Sequence, residues 1–428
     1  MMKGKGKPVS QQSWRSHLRW MKPGLGVKRW LLLLALGIML FSLGGASLLR
    51  ALYPLPSYFY YLTLQFIPRT ARVLIFFFVG ASSIAIGLWG LNHSLLEPFL
   101  KNMSIPYPEV LYEYRRRGRG PRIVVLGGGH GQSNILRGLK RYTANLTAIV
   151  TVADDGGSSG RLRRELGILP PGDFRNCIAA LSNDESLVTR LLQYRFRSKA
   201  GLDGHSFGNL YISAMAGVTG SFESALESSS QVLAVQGRVL PSTLETITLA
   251  ADIQVGELSP IRILGESQIP KVKGQIVRTS LVPPDPKAYP GAVKAILNAE
   301  MVIIGPGSLY TSIMPNLLVP EITEALRATR APKVYVCNIT TQRGETEAYD
   351  AEHHLKALEQ HLGPGLINTI VLNRVPTDVE PPEDAIWVQP EIEPRPELSV
   401  VRENLVDYER PWQHDGEKLA RTVMQLCK

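Results

Sequence analysis

The sequence contains few residues of the types that form disulfide frameworks or metal centres. Of 428 residues only three are cysteine and eight are histidine. The cysteines stand far apart, at 177, 337 and 427, which argues against a disulfide framework and against a zinc site. His353, His354 and His361 come closest to a histidine cluster, and we interpret them as a solvated helix face.

Several catalytic motifs are also missing. The glycine cluster at 127–131 starts neither a dinucleotide fingerprint nor a Walker A loop, because Gln132 and Asn134 occupy the following positions and no Gly-Lys-Ser/Thr follows. There is no G-x-S-x-G elbow and no evident nucleophile–base pair, which disfavours acyl-transfer hydrolysis.

Acidic residues are absent from the first 29 positions, which hold eight lysines and arginines. The net charge of the whole chain is +10, so the remainder is close to neutral. A basic isoelectric point caused by one tail does not indicate a nucleic-acid-binding face. We therefore expect no nucleic-acid partner.

Charge is absent from two longer segments, 30–49 and 73–91. About 20 apolar residues are enough for a helix to cross a hydrocarbon core of roughly 30 Å. The alternatives are a cleaved signal peptide for the first segment, or buried core helices without a polar face. We predict a two-helix membrane anchor at 30–96, preceded by a basic cytoplasmic tail at 1–29.

A basic linker at 97–120 follows the anchor. Arginines at 115, 116, 117, 119 and 122 make the outer flank of the hairpin more basic than its loop. The positive-inside rule then places the carboxyl-terminal domain in the cytoplasm of a multi-pass cell-membrane protein. The arginines also suit an anionic lipid surface, although a plain solvated linker explains them equally well.

The chain is organised around residues 123–176. An apolar strand at 123–126 runs into the glycine cluster, a helical pattern follows, and a second strand at 148–152 runs into Asp154 and Asp155. This pattern predicts the first βαβ unit of a doubly wound sheet, where ligands bind at the carboxyl ends of strands. Glycines there allow close approach of a phosphate to helix amides. A turn built only for tight packing is the alternative.

The segment after the acidic loop combines arginines with a helix start. Arg161 and Arg164 lie on a short amphipathic helix, and we expect Asp173 to cap the next helix, which carries Asn176 in its first turn. Farther on, Ser206 is a predicted N-cap, with His205 before it and Asn209 after it. The amide of Asn209 suits a base or sugar, and the ring of His205 suits a phosphate or proton transfer, although a simple cap explains this loop equally well.

The middle of the chain changes character at about 231–282. Short apolar runs at 232–235, 247–249, 261–264 and 276–278 predict a β-rich insertion. The doubly wound pattern then resumes with a strand at 301–304 and a third glycine loop at 305–312. The predicted fold of 121–428 is therefore α/β and Rossmann-like, with a mostly parallel sheet and an insertion, preceded by two transmembrane helices.

Four stretches together carry a family likeness. These are VTVADDGGSSGRLRRELGILPPGDFRNC, GHSFGNL, GPGSLYTSIMPNLL and KVYVCNITTQRGET. They resemble the gluconeogenesis-factor (YvcK-like) family, within the superfamily of 2-phospho-L-lactate transferase (CofD), over about residues 120–410. The resemblance implies a Rossmann-like fold.

The resemblance also implies two functions. Regulators of this family bind UDP-sugars such as UDP-N-acetylglucosamine and control bacterial morphogenesis and carbon use. The transferase branch moves a phospholactyl group from a guanylated donor to a deazaflavin. We favour a membrane-anchored, nucleotide-sugar-binding regulator over a transferase, with a scaffold bearing a vestigial pocket as a third alternative. The expected partners are a nucleotide sugar and membrane lipid, with a homo-oligomer left open.

Residue by residue, the resemblance places Asp154 and Asp155 at the reacting centre of a transferase, where they are also the candidate ligands for Mg²⁺. The sequence departs from the family pattern at His130 and Gln132, where many relatives have Thr and Leu. The candidate ligand-binding residues are Gly127, Gly128, Gly129, His130, Gly131, Asp154, Asp155, Gly156, Gly157, Ser158, Arg161, Arg164, Asn176, His205, Asn209, Gly307, Ser308 and Thr311. The hydroxyls at 308–312 are alternatively phosphorylation sites.

Overall fold

The computed structural model describes residues 115–427, apart from 184, 198–200, 258 and 377–378, together with scattered residues between 35 and 78. The chain divides into two compact units, Met1–Arg115 and Arg116–Lys428. Each is described by itself, and the second contains the predicted α/β domain.

In the first unit, the predicted membrane spans at 30–49 and 73–91 lie almost entirely outside the described residues. Within the part that is described, no helix is long and apolar enough to cross a membrane. The structure therefore gives no support to the predicted hairpin, and the anchor stays a prediction. The predicted basic tail at 1–29 also lies outside the described residues.

In the described part of the second unit, ten strands form two sheets. In chain order they are β1 Ile123–Gly127, β2 Leu146–Val150, β3 Arg238–Pro241, β4 Thr248–Gln254, β5 Ile261–Leu264, β6 Gln275–Val282, β7 Met301–Ile304, β8 Lys333–Val336, β9 Thr369–Asn373 and β10 Ser399–Glu403.

The main sheet has seven strands in the order β10-β9-β8-β7-β1-β2-β3. All its neighbouring pairs are parallel, and β1 lies between β2 and β7 with Ile123 opposite Leu146 and Met301. Strands β1, β2 and β7 are buried at every position, as expected for parallel strands covered on both faces. The predicted α/β fold with a mostly parallel sheet is confirmed, and its order reverses direction between β1 and β7.

Eleven α-helices are described, most of them connecting the strands. They are α1 Gly129–Leu139, α2 Gly157–Leu166, α3 Gly172–Leu181, α4 Glu185–Gln193, α5 Phe207–Thr219, α6 Phe222–Val232, α7 Pro290–Leu297, α8 Met314–Leu317, α9 Pro320–Ala328, α10 Ala351–Leu362 and α11 Gly416–Leu426. A π-helical turn, Leu309–Ile313, precedes α8.

The second sheet is a three-stranded antiparallel one, in the order β5-β4-β6. The predicted strand at 232–235 is wrong, because Val232 ends α6 and Val235 makes only an isolated bridge to Ser182. Apolar residues of α6 recur three and four positions apart, which is the spacing of a helix. The apolar run at 232–235 is therefore the end of this helix and the turn after it, and not a strand. Strand β3, by contrast, belongs to the main sheet beside β2.

The histidines of α10 do not form a solvated face. His354 is fully buried, its Nδ1 lies 2.7 Å from the carbonyl oxygen of Asp350, and burial lowers its pKa to about 4. The Nε2 of His361 accepts a 2.9 Å hydrogen bond from the backbone amide of Thr279. The ring of His361 therefore ties α10 to β6, whereas His354 bonds the N-cap of its own helix, and only His353 of the three is exposed.

Close packing of α1 against α11 leads to a stability prediction. A Cβ at Gly138 would overlap the backbone carbonyl of Gly416 and lie 2.7 Å from the Cβ of Ala420. We expect Gly138→Ala to lower the free energy of unfolding by about 1–3 kcal/mol, because overpacking outweighs the gain in helix propensity. Urea denaturation followed by circular dichroism measures this change.

The matched control is Gly217→Ala in α5, where no heavy atom lies within 4 Å of the added Cβ. There we expect a gain of about 0.5–1 kcal/mol. Equal effects of the two substitutions would contradict the close packing of α1 on α11.

Candidate functional site

The candidate site lies at the carboxyl edge of the main sheet, where the strand order reverses. In open α/β sheets this switch point is the place where ligands bind. The loops after β1 and β7 meet here backbone to backbone: a Cβ at Gly131 would lie 2.5 Å from the carbonyl oxygen of Pro306. The structure therefore brings together the first and third glycine loops predicted from sequence.

A cavity of about 350 Å³ opens beside these loops. His130, Gly131, Gly307 and Ser308, all predicted site residues, contribute to its wall. The remaining lining residues are mostly polar. Asn134 comes from α1 and Pro306 from the loop after β7, and the others come from the loop after β8 and from two later segments: Asn338, Ile339, Thr340, Thr341, Gln342, Arg343, Asp384, Ala385, Trp412, Gln413 and His414.

His130 is the cationic candidate in the glycine loop. Partial burial of its ring, together with the positive charges of Arg175, Arg137 and Arg410, lowers its pKa. Its side chain is therefore biased toward the neutral form, so any contribution to phosphate binding would come from hydrogen bonding more than from charge.

The amino terminus of α1 is occupied by a carboxylate of the chain itself. Gly128, the N-cap, provides no side chain, and Asp173 accepts a hydrogen bond from the backbone amide of Gly129. A Cβ at Gly128 would lie 2.6 Å from Oδ2 of Asp173. The predicted capping role of Asp173 is thus wrong: Pro171 is the N-cap of α3, and Asp173 faces the neighbouring helix.

The two carboxylates of the acidic loop are held by different backbone groups. Oδ1 of Asp154 accepts from the amide of Gly156 at 2.9 Å, and Oδ1 of Asp155 accepts from the amide of Ser267 at 2.9 Å. The second contact ties the acidic loop to the connection between β5 and β6. Arg163 lies behind this loop and donates to the carbonyl of Ile247 at 2.5 Å.

Further carboxylates gather near this loop, and their pKa values are raised. Burial, with repulsion from Asp154, raises the pKa of Asp173 to about 6 and that of Glu266 to about 8. Burial also raises the pKa of Asp154 itself and that of Glu345, the latter to about 7. Perturbed carboxylates concentrated in one place are typical of functional sites.

Within the described residues, no group of three or more His, Cys, Asp or Glu side chains has the arrangement needed to hold a metal ion. The carboxylates of Asp154 and Asp155 are each committed to a backbone amide. The Mg²⁺ site suggested by their adjacency in the sequence therefore stays a prediction.

Asn209 belongs to a buried polar network. Its amide nitrogen donates to Oγ of Ser158 at 3.0 Å, and its Oδ1 accepts from Nη1 of Arg175 at 3.2 Å. Nδ1 of His205 lies 2.9 Å from the same Ser158 hydroxyl, and Arg175 also bonds Asn176 and Ser206. The structure thus joins four predicted site residues, Ser158, Asn176, His205 and Asn209, through an arginine that sequence reasoning did not select.

Other predicted residues lie apart from the cavity. Arg161 donates to the carbonyl of Asp203 at 2.7 Å, and Arg164 is exposed. Gly157 has open space where a Cβ would be. The hydroxyl of Thr311 donates to Glu345 at 2.8 Å, so it faces the protein interior and not the cavity.

The residues that sequence reasoning missed had weak local signals. Arg175 and Asp173 stand in the quoted motif ending in DFRNC, but were assigned to a helix start. Glu345 lies in the quoted stretch KVYVCNITTQRGET, shortly after an apolar run, a position that could have identified it. Trp412 and His414 lie in an irregular segment with no motif, and only the folded chain brings them to the cavity.

Comparisons with known proteins agree with this architecture. The family model described as 2-phospho-L-lactate transferase CofD matches residues 123–424. A gluconeogenesis factor from Bacillus subtilis is 46% identical over 319 residues, covering 73% of this chain and 99% of its own. A relative from Nostoc sp. is 49% identical over 357 residues, covering 81% of this chain and 76% of its own.

A similar crystal structure is also known. A UPF0052 family member from Bacillus halodurans is 41% identical, with a TM-score of 0.66, and the match covers 72% of this chain and 99% of that one. In that protein, a domain of this kind makes up nearly the whole solved chain, so the fold forms without a large additional unit.

The raised pKa of Asp173 predicts a pH-dependent stability difference. Its folded-state pKa of about 6 exceeds the ordinary 3.8, so ionisation costs folding free energy as the pH rises between these values. We expect Asp173→Asn to stabilise the domain relative to wild type by about 1–3 kcal/mol more at pH 7.5 than at pH 4. Chemical denaturation at both pH values measures the difference.

Asp285→Asn, at an exposed position, is the control and should change stability little at either pH. A constant difference between Asp173→Asn and wild type across this range would show that the carboxyl group is not destabilised by its surroundings.

Proposed function

This chain belongs to the gluconeogenesis-factor group of the CofD family, and we propose that it is a membrane-anchored regulator that binds a nucleotide sugar resembling UDP-N-acetylglucosamine. The observation that carries the proposal is the switch-point cavity between the loops after β1 and β7. Such crevices are built for nucleotide-sized ligands. The proposed output is regulation of cell morphogenesis and of carbon metabolism. The name of the Bacillus subtilis relative, gluconeogenesis factor, supports only the second of these.

The charges around the cavity suggest how the ligand would lie. The diphosphate would cross the glycine loops near Gly131 and Gly307, with Ser308 and Arg343 available from the cavity wall. The carboxylates around Asp154 and Asp173 do not line this cavity, and carboxylate oxygens suit sugar hydroxyls. We therefore place the base in the cavity and the sugar toward the carboxylates.

Asn209 would act on this site through its neighbours. It is 2% exposed and both ends of its amide have partners within the protein, so it is poorly placed to read a ligand directly. By fixing Ser158 and Arg175 it would instead hold the helix start of α2 beside the acidic loop.

The binding proposal is tested by calorimetric titration of residues 110–428 with UDP-N-acetylglucosamine. We expect a micromolar dissociation constant, about −8 kcal/mol. Asn209→Ala should weaken binding about tenfold or more, because it removes one hydrogen-bond partner from the buried Arg175 and one from Ser158. Asn298→Ala is the matched control, since Asn298 is exposed and bonds only the carbonyl of Lys294.

Absence of binding to UDP-N-acetylglucosamine would refute the nucleotide-sugar proposal. Equal loss of affinity in Asn209→Ala and Asn298→Ala would instead remove the buried network from the binding mechanism.

A transferase is the alternative, and the raised pKa values of Asp154, Asp173 and Glu266 are the observation that favours it. Carboxyl groups whose pKa approaches neutrality suit general acid–base catalysis. The distinction is chemical: a transferase supplied with a nucleotide-activated donor and an acceptor releases the nucleotide, whereas a regulator returns its ligand intact. Chromatography of the nucleotides after incubation separates the two, with Asp154→Asn as the inactive comparison.

We also propose that the protein is held at the cell membrane by the segments at 30–49 and 73–91, with the carboxyl-terminal domain in the cytoplasm. The absence of charge from both segments and the basic flanks support this topology. The full chain expressed in bacteria should remain in the membrane fraction after alkaline carbonate washing, and protease added to spheroplasts should not digest a carboxyl-terminal tag. Residues 110–428 serve as the soluble control; recovery of the full chain in the soluble fraction would exclude the anchor.

A further inference from the structure

A second cavity lies at the amino edge of the main sheet, opposite the candidate site. It has a volume of about 450 Å³ and opens where β1, β2 and β3 begin. Three of the residues that line it are cationic, Arg122, Arg238 and Lys294, and among the described residues of its wall none is acidic. Nothing in the proposed nucleotide-sugar site accounts for this concentration of positive charge.

The three cations have little compensation from neighbouring carboxylates. Arg122 lies 3.6 Å from Glu300, but both side chains are more than half exposed, and such a pair contributes little. Arg238 and Lys294 form no salt bridge with any residue that the structure describes, and Arg238 donates only to the hydroxyl of Thr147 at 3.4 Å. All three cations are exposed, so an anion outside the protein can reach them.

Compensation of helix dipoles explains only part of this cluster. A cation in the last turn of a helix offsets the partial negative charge there, and Lys294 lies in the last turn of α7. Arg238, however, begins β3, and Arg122 immediately precedes β1. Two of the three cations therefore lie at strand starts, where no helix end needs them.

The basic linker extends the positive charge along the same edge. The side-chain amide of Asn145, which lines the cavity, donates to the carbonyls of Gly118 and Gly120 at 3.1 and 2.7 Å. These bonds fix the linker beside the cavity, and Arg119, between the two glycines, is exposed. We call the four exposed cations the amino-edge surface: Arg119, Arg122, Arg238 and Lys294.

An anionic bilayer is the partner that this surface fits. Guanidinium and ammonium groups suit phosphates, and phospholipid headgroups present many phosphates in one plane. The sequence also supplies proximity. The second predicted span ends at residue 91, and the 25 residues from there to Arg116 form a tether no longer than about 90 Å. A tethered domain is therefore always within reach of the headgroups.

The opposite edge of the sheet suits an anionic bilayer less well. Asp154, Asp155 and Glu266 gather near the candidate site, and their negative charges would be repelled by the headgroups. Arg343, from the wall of the switch-point cavity, lies 3.7 Å from Asp384 and is partly compensated. Because strands of four or five residues separate the edges by about 15 Å, the two charge distributions act on different faces of the domain.

We propose that the amino-edge surface binds anionic phospholipid headgroups and holds the domain with its switch-point cavity facing away from the bilayer. The inference rests on the proposed membrane location and adds which face of the domain meets the lipid. In this orientation the candidate site stays open to a soluble ligand.

The test is cosedimentation of residues 110–428, which lack both predicted spans, with vesicles. We expect binding to an equal mixture of phosphatidylcholine and phosphatidylglycerol, and none to phosphatidylcholine alone. Salt at about 1 M should abolish binding, because the screening length falls to about 3 Å. Arg238→Gln combined with Lys294→Gln should weaken binding about tenfold or more, since each cation at an anionic surface contributes about fivefold.

The matched control is Lys271→Gln combined with Lys273→Gln, which removes the same charge at exposed positions. Lys271 follows Pro270, whose carbonyl occupies the space that a Cβ at Gly344 would need, in the loop after β8. This pair therefore lies toward the opposite edge and should bind vesicles like wild type. Equal loss of binding in the two double variants would overturn the inference.

Tryptophan fluorescence tests the orientation. Residues 110–428 contain two tryptophans: Trp412 lines the switch-point cavity, and Trp387 is bridged to Thr340 of the same wall. Brominated acyl chains quench tryptophans at short range, so the vesicle-bound domain should keep its fluorescence. Strong quenching by brominated anionic vesicles would place the opposite edge on the bilayer and overturn the inference.

Two further outcomes separate this inference from the proposals on which it rests. Failure of residues 110–428 to bind anionic vesicles would overturn it, while leaving the predicted anchor and nucleotide-sugar binding intact. Calorimetric binding of glycerol phosphate as tight as that of anionic vesicles would assign the cavity to a soluble phosphorylated ligand and overturn the lipid as its partner.

Discussion

The approach of two backbone loops at the reversal of strand order is the constraint on which the candidate site depends. Gly131 lies so close to Pro306 that any side chain would separate the loops, and β1 is buried between its two parallel neighbours. Side chains reinforce the approach: the amide of Asn316 donates to the carbonyl of Gly127 at 2.8 Å. That of Gln132 donates to Val125 and Ile149, bridging β1 and β2. The position of the cavity follows from these contacts.

Several carboxylates lie together beside this crevice, and their ionisation lowers the stability of the folded domain. Burial and mutual repulsion raise the pKa values of Asp154, Asp173 and Glu266, so their charged forms are disfavoured in the folded state. The guanidinium of Arg175 lies close to two of these carboxylates, but it is itself shared among Asn176, Ser206 and Asn209. Destabilising charge kept together in this way is typical of a site retained for binding or chemistry.

How far the site could be predicted varied with the distance along the chain between its parts. The strand, glycine loop and helix at 123–139 were recognisable because hydrophobic period and turn residues are local properties. The prediction of a strand at 232–235 was wrong because a short apolar run is compatible with the period of a strand and with that of a helix. Helix α6 extends into this run. Asp173 was mistaken for a cap because capping is judged from one residue's neighbours in sequence, whereas its partner, Gly129, lies 44 positions earlier.

The sequence by itself determined the alternation of strands and helices, the three glycine loops, the acidic pair at 154–155 and the family likeness, since each depends on residues adjacent in the chain. Only the tertiary structure decided which side chains meet. Arg175 joins Asn209 across 34 positions, and Trp412 and His414 reach a cavity whose other wall begins at His130. Desolvation, which sets the pKa values of the carboxylates, exists only once distant segments have packed together.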